Sequence, residues 1–175
     1  MSDKTYNQPP EFSLNPEKNY KAIIEMDNGN KITIDLLSKE APKTVNNFIF
    51  LARWHYYDGI IFHRVIDGFV IQGGDPQGTG MGGPGYRFED ELPNSGEYQI
   101  GSLAMANAGP DTNGSQFFVI TGPSGVGLPP SYSLFGQVID GLEVAEKIQS
   151  TPTGPQDRPV EDVVIESVTI SEIEG

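Results

Sequence analysis

The stretch Phe62-His63-Arg64-Val65-Ile66-Asp67-Gly68-Phe69-Val70-Ile71-Gln72-Gly73-Gly74-Asp75 decides how this chain is read. It places one arginine and one glutamine on either side of a short turn, inside an otherwise apolar strand pair. A long cation among isoleucines, valines and phenylalanines is costly unless something uses it. About forty residues on lies Met105-Ala106-Asn107-Ala108-Gly109-Pro110-Asp111-Thr112-Asn113-Gly114-Ser115-Gln116-Phe117-Phe118. Strand alternation puts the Phe117 and Phe118 rings on opposite faces. Phe117 is expected inside, with Gln116 and Phe118 sharing a face suited to a peptide groove. Phe69 and Val70 are adjacent, so both reach that groove only if Gly68 kinks the chain.

Outward from these blocks the pattern is mainly β. Tyr20–Asp27 and Lys31–Leu37 form a hairpin candidate around Asn28-Gly29, a favoured pair for a tight turn, with Asn30 able to lengthen the loop. Pro42 opens a helix that turns Val45, Phe48, Ile49 and Ala52 to one side. Further strands are expected near 60–66, 69–73, 98–105, 115–120, 133–139 and 161–171. A second helix runs from Leu142 to about Gln149 with Leu142, Ala145 and Ile148 inward. Many strands and few helices point to an antiparallel sandwich or barrel, and periodicity does not choose between them. Residues 1–18, with Pro9, Pro10 and Pro16, read as an extended polar leader packing loosely or not at all. Residues 19–175 form one domain.

At 175 residues without cysteine, the chain can bury a core without disulfides or thiolate chemistry. The net charge of −13 argues against nucleic acid and anionic membrane as partners. No signal-type segment opens the chain and no apolar run is long enough to cross a bilayer, so a cytoplasmic location is expected. A chain whose export signal had been removed would read the same.

Several motifs fail on their context. Gly78-Thr79-Gly80-Met81-Gly82-Gly83 fits a dinucleotide pattern, but Pro84, Gly85 and Tyr86 follow where a helix is needed, so it reads as a loop. His55 and His63 lack further ligands at metal spacing, so no metal and no cofactor are expected. Ser124 is not in a nucleophile elbow. Asn113-Gly114-Ser115 is a formal glycosylation acceptor that reads instead as a turn. Arg53 reads as structural, Arg87 as paired within the acidic run Glu89-Asp90-Glu91, and Arg158 as part of a Pro-rich loop.

Both blocks, in their order and spacing, resemble the signature segments of the cyclophilins, a family of peptidyl-prolyl cis-trans isomerases. The resemblance spans residues 20–171 and is densest in 62–80 and 101–120. It implies an eight-stranded antiparallel closed β-barrel capped by two α-helices. It makes Arg64 the catalytic arginine, Gln72 its holder, and Phe69, Val70, Phe118 and Leu128 the proline pocket with Tyr132 at the rim. By the same resemblance, the main chain at Ala106 and Asn107 anchors the substrate, Gln116 adds a contact, and the glycine loop walls the groove. The implied partners are proline-containing peptides and unfolded or folding proteins, met by a monomer. A module of the same fold that binds proline segments without turning them over is the alternative. Val70 stands where the best-known members carry methionine, Gly127 where they carry tryptophan, and Tyr132 where they carry histidine. The tryptophan position implies only weak binding of cyclosporin.

Overall fold

The computed structural model describes residues 4–174. Eight strands follow in order: β1 (Lys18–Met26), β2 (Lys31–Leu36), β3 (Arg64–Ile66), β4 (Val70–Gly73), β5 (Ser102–Met105), β6 (Phe117–Ile120), β7 (Leu134–Asp140) and β8 (Ile165–Glu174). They form one antiparallel sheet in the order β3-β4-β6-β5-β7-β2-β1-β8. The ladder of named strands does not close on itself, which corrects the expected closed barrel. The segments just ahead of its two outer strands meet instead through a bridge of Ile61 with Val164. Bonds from Gly59 N–H to the Ile165 carbonyl (2.8 Å) and from Phe62 N–H to the Val163 carbonyl (2.9 Å) extend that seam. Backbone donors at the sheet edges are thereby satisfied just outside the strands.

The alternation expected for β2 holds: Ile32, Ile34 and Leu36 are buried, and Tyr20, Ala22, Ile24 and Met26 do the same in β1. The connecting loop takes the longer form, Asp27–Asn30, with Met26 N–H donating to the Asn30 carbonyl. Helix α1 (Pro42–Arg53) buries Val45, Phe48, Ile49 and Ala52. No neighbouring side chain caps its N-terminus. The Glu91 carboxylate, distant in sequence, accepts from the N–H groups of Lys43 and Thr44 at 3.1 and 2.8 Å. A four-residue helix α2 (Pro123–Val126) was not foreseen; α3 (Leu142–Gln149) was, with Ala145 and Ile148 buried. The difference is length, since four residues carry no readable period.

Two apolar clusters result. The larger fills the inside of the sheet, where the Phe48 ring meets Tyr57, Phe117 and Phe135 at centroid distances of 5.2, 5.7 and 5.3 Å. The smaller gathers Val70, Tyr98, Ala104, Phe118 and Ile120 on the other face, with Phe69, Leu128 and Tyr132 against it. Phe117 and Phe118 therefore do point to opposite faces. Phe118 is only 4% exposed, so that face is a second packed layer rather than an open one.

The described part of the leader is extended but docked, contrary to the loose packing expected. Ser13 N–H donates to the Asn46 side chain (3.0 Å), Asn46 donates to the Glu11 carbonyl (3.1 Å), and Asn15 N–H donates to the Tyr20 hydroxyl (2.7 Å). Tyr6 and Leu14 add apolar contact to the larger cluster. The leader's polar composition hid this, because side-chain and backbone hydrogen bonds leave no hydropathy period. Residues 1–3 of the leader expectation lie outside the described residues.

Candidate active site

Arg64 and Gln72 are direct partners in the β3–β4 ladder, so their side chains emerge side by side on one face. The Arg64 guanidinium donates from Nη1 to Gln72 Oε1 at 3.0 Å. Gln72 Nε2 donates to Gln116 Oε1 at 3.2 Å, and Gln116 Nε2 donates to the carbonyls of Gly80 and Gly82 at 3.0 and 2.9 Å. Because a guanidinium only donates, each amide in this chain has one consistent orientation. Arg64 has no carboxylate partner among the described residues. A neutral amide thus fixes the cation without cancelling its charge.

Arg64 opens onto a cavity of about 650 Å³. Phe69, Val70, Phe118, Leu128 and Tyr132 line it as expected, together with Gln72, Ala106 and Asn107. The kink at Gly68 exists: its φ is +78°, which a side chain would resist. The Phe69 carbonyl then accepts from the N–H groups of Thr121 and Gly122 at 3.0 and 3.3 Å, holding the ring at the cavity. Tyr132 is held through its backbone, since the Tyr98 hydroxyl donates to its carbonyl (2.6 Å) and accepts from its N–H (3.2 Å). The Phe118 and Tyr132 rings meet edge to face at 5.4 Å.

Gln116 and Asn107 differ from the expected picture in detail. Gln116 lines a second, adjoining cavity of about 730 Å³ rather than the Arg64 cavity. Its amide is engaged on both sides, so it braces Gln72 against the glycine loop. The Asn107 side chain donates to the Ser131 carbonyl (2.9 Å) and accepts from Gly109 N–H (3.1 Å). What Asn107 offers the cavity is main chain. Neither its N–H nor the Ala106 carbonyl has a partner among the described residues, whereas Ala106 N–H donates to the Gln116 carbonyl.

The glycine loop is a wall of both cavities. Its keystone is Asp75, whose carboxylate accepts from the N–H groups of Gln77 (2.8 Å), Thr79 (3.0 Å), Gly80 (2.6 Å) and Gly82 (3.1 Å). Burial alone would push this carboxyl up, but those four donors together hold it below the ordinary carboxylate range. Sequence reading passed over Asp75, although an aspartate ahead of a run of small residues is a loop-organising signal. His63 is buried beside Arg64, and its Nδ1 has no partner. Burial is the largest influence lowering its pKa; Arg158 and Arg64 lower it further, while Asp75 opposes.

Gln156, Asp157 and Arg158 line the Arg64 cavity and were not foreseen. Arg158 donates to the Gly78 carbonyl at 2.5 Å, so its loop is no bystander. Nothing in the sequence signals this, because the contact joins segments eighty residues apart. Arg87 corrects another expectation: it forms no ion pair among the described residues and faces the second cavity. Glu89 pairs with Lys43 at 2.6 Å and Glu91 caps α1, so the acidic run is spent elsewhere. Asn113 is fully buried and donates to the Phe88 carbonyl and to Asp90, which suits a turn and not a glycan acceptor.

An antiparallel barrel-like sheet carrying a fixed cation beside an apolar recess and two free main-chain groups defines a site for extended peptides. The sequence model described as cyclophilin type peptidyl-prolyl cis-trans isomerase/CLD matches residues 21–170. Peptidyl-prolyl cis-trans isomerase B of Streptomyces anulatus is 51% identical over 162 residues, covering 82% of this chain and 92% of that protein. The crystal structure of a Cryptosporidium parvum cyclophilin type peptidyl-prolyl cis-trans isomerase superposes with a TM-score of 0.81 at 36% identity, covering 87% of this chain and 98% of that one. The same protein in the presence of the dipeptide Ala-Pro gives 0.80 at 36% identity, covering 86% and 98%. The chain belongs to the cyclophilin-type peptidyl-prolyl cis-trans isomerase family and is an enzyme of that class.

Proposed function

We propose that Arg64 drives rotation about X–Pro bonds by donating to the prolyl nitrogen as the amide twists. Amide resonance sets a barrier on the order of 20 kcal/mol, and the planar ground state has no lone pair on that nitrogen. Twisting restores the lone pair, so a donor aimed there favours the transition state over the substrate. The observation that carries this reading is the Arg64–Gln72 pair: the guanidinium is fixed at 3.0 Å by a neutral amide and has no carboxylate partner among the described residues.

One charged hydrogen bond supplies roughly 1.5–3 kcal/mol, or about one to two decades of rate. The recess of Phe69, Val70, Phe118, Leu128 and Tyr132 supplies more by gripping the proline ring and excluding water. The Ala106 carbonyl and Asn107 N–H anchor the peptide backbone, so that rotation occurs about a held bond. Gln116 acts through Gln72. No cofactor enters this scheme. The substrates are proline-containing segments of unfolded and folding proteins, met in the cytoplasm by a monomer.

Two-dimensional exchange NMR on a short Ala-Pro peptide tests the activity. Cis–trans exchange is expected to quicken at sub-stoichiometric protein. Peptide binding with unchanged exchange would instead identify a proline-binding module.

A further inference from the structure

The leader begins, among the described residues, with a firm anchor. The Lys4 ammonium donates to the Tyr56 carbonyl and to the Asp58 carbonyl (2.9 Å), and it lies 5.6 Å from the centre of the Tyr56 ring. Two residues on, the Tyr6 ring stands edge-on to Phe50 at 5.3 Å and tilted to Tyr56 at 6.4 Å. The Tyr6 hydroxyl has no partner among the described residues, so the ring is what holds. Between these contacts the backbone reaches the groove wall: Tyr6 N–H donates to the Pro84 carbonyl at 2.7 Å. Gly85 approaches so closely that a Cβ there would lie 2.5 Å from the Tyr6 carbonyl oxygen and 2.7 Å from Thr5 Cγ2. Leader and wall interlock.

That wall carries the acceptors on which the arginine's support ends. Glycine-rich backbone has much freedom to lose, so a carbonyl in such a loop orients a partner only if the loop is tied at both ends. Asp75 ties the first half, through Gln77 to Gly82. The far end is tied by Tyr6 on Pro84 and by the Tyr86 hydroxyl on Asn47. Pro84 also presses on Gly114, where a Cβ would lie 2.9 Å from its Cδ, two residues before Gln116. From Gly82 the path runs through Gln116 and Gln72 to the Arg64 guanidinium.

We propose that residues 4–6 are a strap that positions Arg64, with Tyr6 as the positioning residue, acting through the 82–85 wall and the Gln116–Gln72 amides. The inference rests on the reading that Arg64 meets the prolyl nitrogen. A strap of this kind acts on the transition state more than on peptide capture, because the recess is built from residues the leader does not touch.

The full chain, Tyr6→Ala, Tyr6→Phe and Lys4→Met are compared by exchange NMR and by the side-chain amide signals of Gln72 and Gln116. Tyr6→Ala is expected to lower kcat about fivefold with KM within about twofold. It should also move both glutamine signals while methyl signals of Ile24 and Val168 stay put. Tyr6→Phe, which keeps the ring, is expected to restore all of them. Wild-type kcat in Tyr6→Ala, or a lower kcat with both glutamine signals unmoved, overturns the strap. If Tyr6→Ala does not fold, Lys4→Met decides on the same readouts, with a smaller change in the same direction expected. Arg64→Ala serves as the separate control: wild-type turnover there defeats the reading of Arg64, whatever the glutamine signals do in Tyr6→Ala.

Discussion

Arg64 and Gln72 face each other across the β3–β4 ladder, and the bond between their side chains, 3.0 Å from Nη1 to Oε1, orients a cation without neutralising it. That distinction separates this arginine from Arg53, which is bound to the Glu172 carboxylate at 2.7 Å.

Replacing the amide by a carboxylate therefore tests the charge, with Gln116→Ala as the control for the Nε2 donor that is lost with it. Gln72→Glu keeps an acceptor of nearly the same shape but pairs Arg64 with an anion. Turnover on the Ala-Pro peptide is expected to fall about tenfold with little change in KM, as for an interaction made in the transition state. Wild-type turnover in Gln72→Glu would mean that the free charge of Arg64 is not what matters.

The acid side of the stability profile is expected to fall in two stages. His63 has a folded pKa below its ordinary 6.5, chiefly through burial. The unfolded chain takes up that proton first, so this share of stability is complete above pH 6.5 and is lost as pH falls through the folded value. Asp75 is lowered below its ordinary 3.8 despite burial, by its backbone donors. Its share is complete above pH 3.8 and disappears as pH falls through the lower folded value. On the alkaline side, burial raises Tyr57 well above 10.0, so its share is complete below pH 10 and is lost above it. Chemical denaturation as a function of pH should show a plateau between about pH 6.5 and 10. In Asp75→Asn the lower acid step should shrink to the remainder left by Glu89 with Lys43 and Glu172 with Arg53 and Lys18; an unchanged step would contradict the role given to Asp75.

Cyclosporin is expected to bind weakly, because Gly127 leaves no ring where family members best known for binding it carry tryptophan. The backbone there accepts a side chain: Gly127 has φ −84°, and a Cβ would meet only the Ser124 carbonyl oxygen at 3.8 Å. Gly127→Trp is expected to tighten binding at least about tenfold by calorimetry. Nanomolar binding by the natural sequence would contradict the expectation.

The parts of this account that were legible in the sequence are those written as local pattern. Alternation predicted which side chains of Lys31–Leu36 are buried and that Phe117 and Phe118 lie on opposite faces. The family resemblance carried by two dense motifs pointed to Arg64, Gln72 and the recess residues, which the structure gathers around one cavity. What escaped reading depends on contacts between distant segments. Glu91 caps a helix that begins at Pro42, Arg158 reaches the Gly78 carbonyl, and the leader docks through single hydrogen bonds. The open ladder differs from the expected closed barrel for a similar reason, since the seam at Ile61 and Val164 lies outside the regular strands. Each of these joins segments far apart in the chain, and leaves no local period to detect.

The central claim is that Arg64 stabilises the twisted amide and does not merely hold the peptide. The measurement is Arg64→Ala, with exchange rate and peptide affinity taken from the same NMR titration. The account predicts a rate loss of about ten- to a hundredfold with affinity within about threefold. An equal loss of both, or no loss of rate, would contradict it.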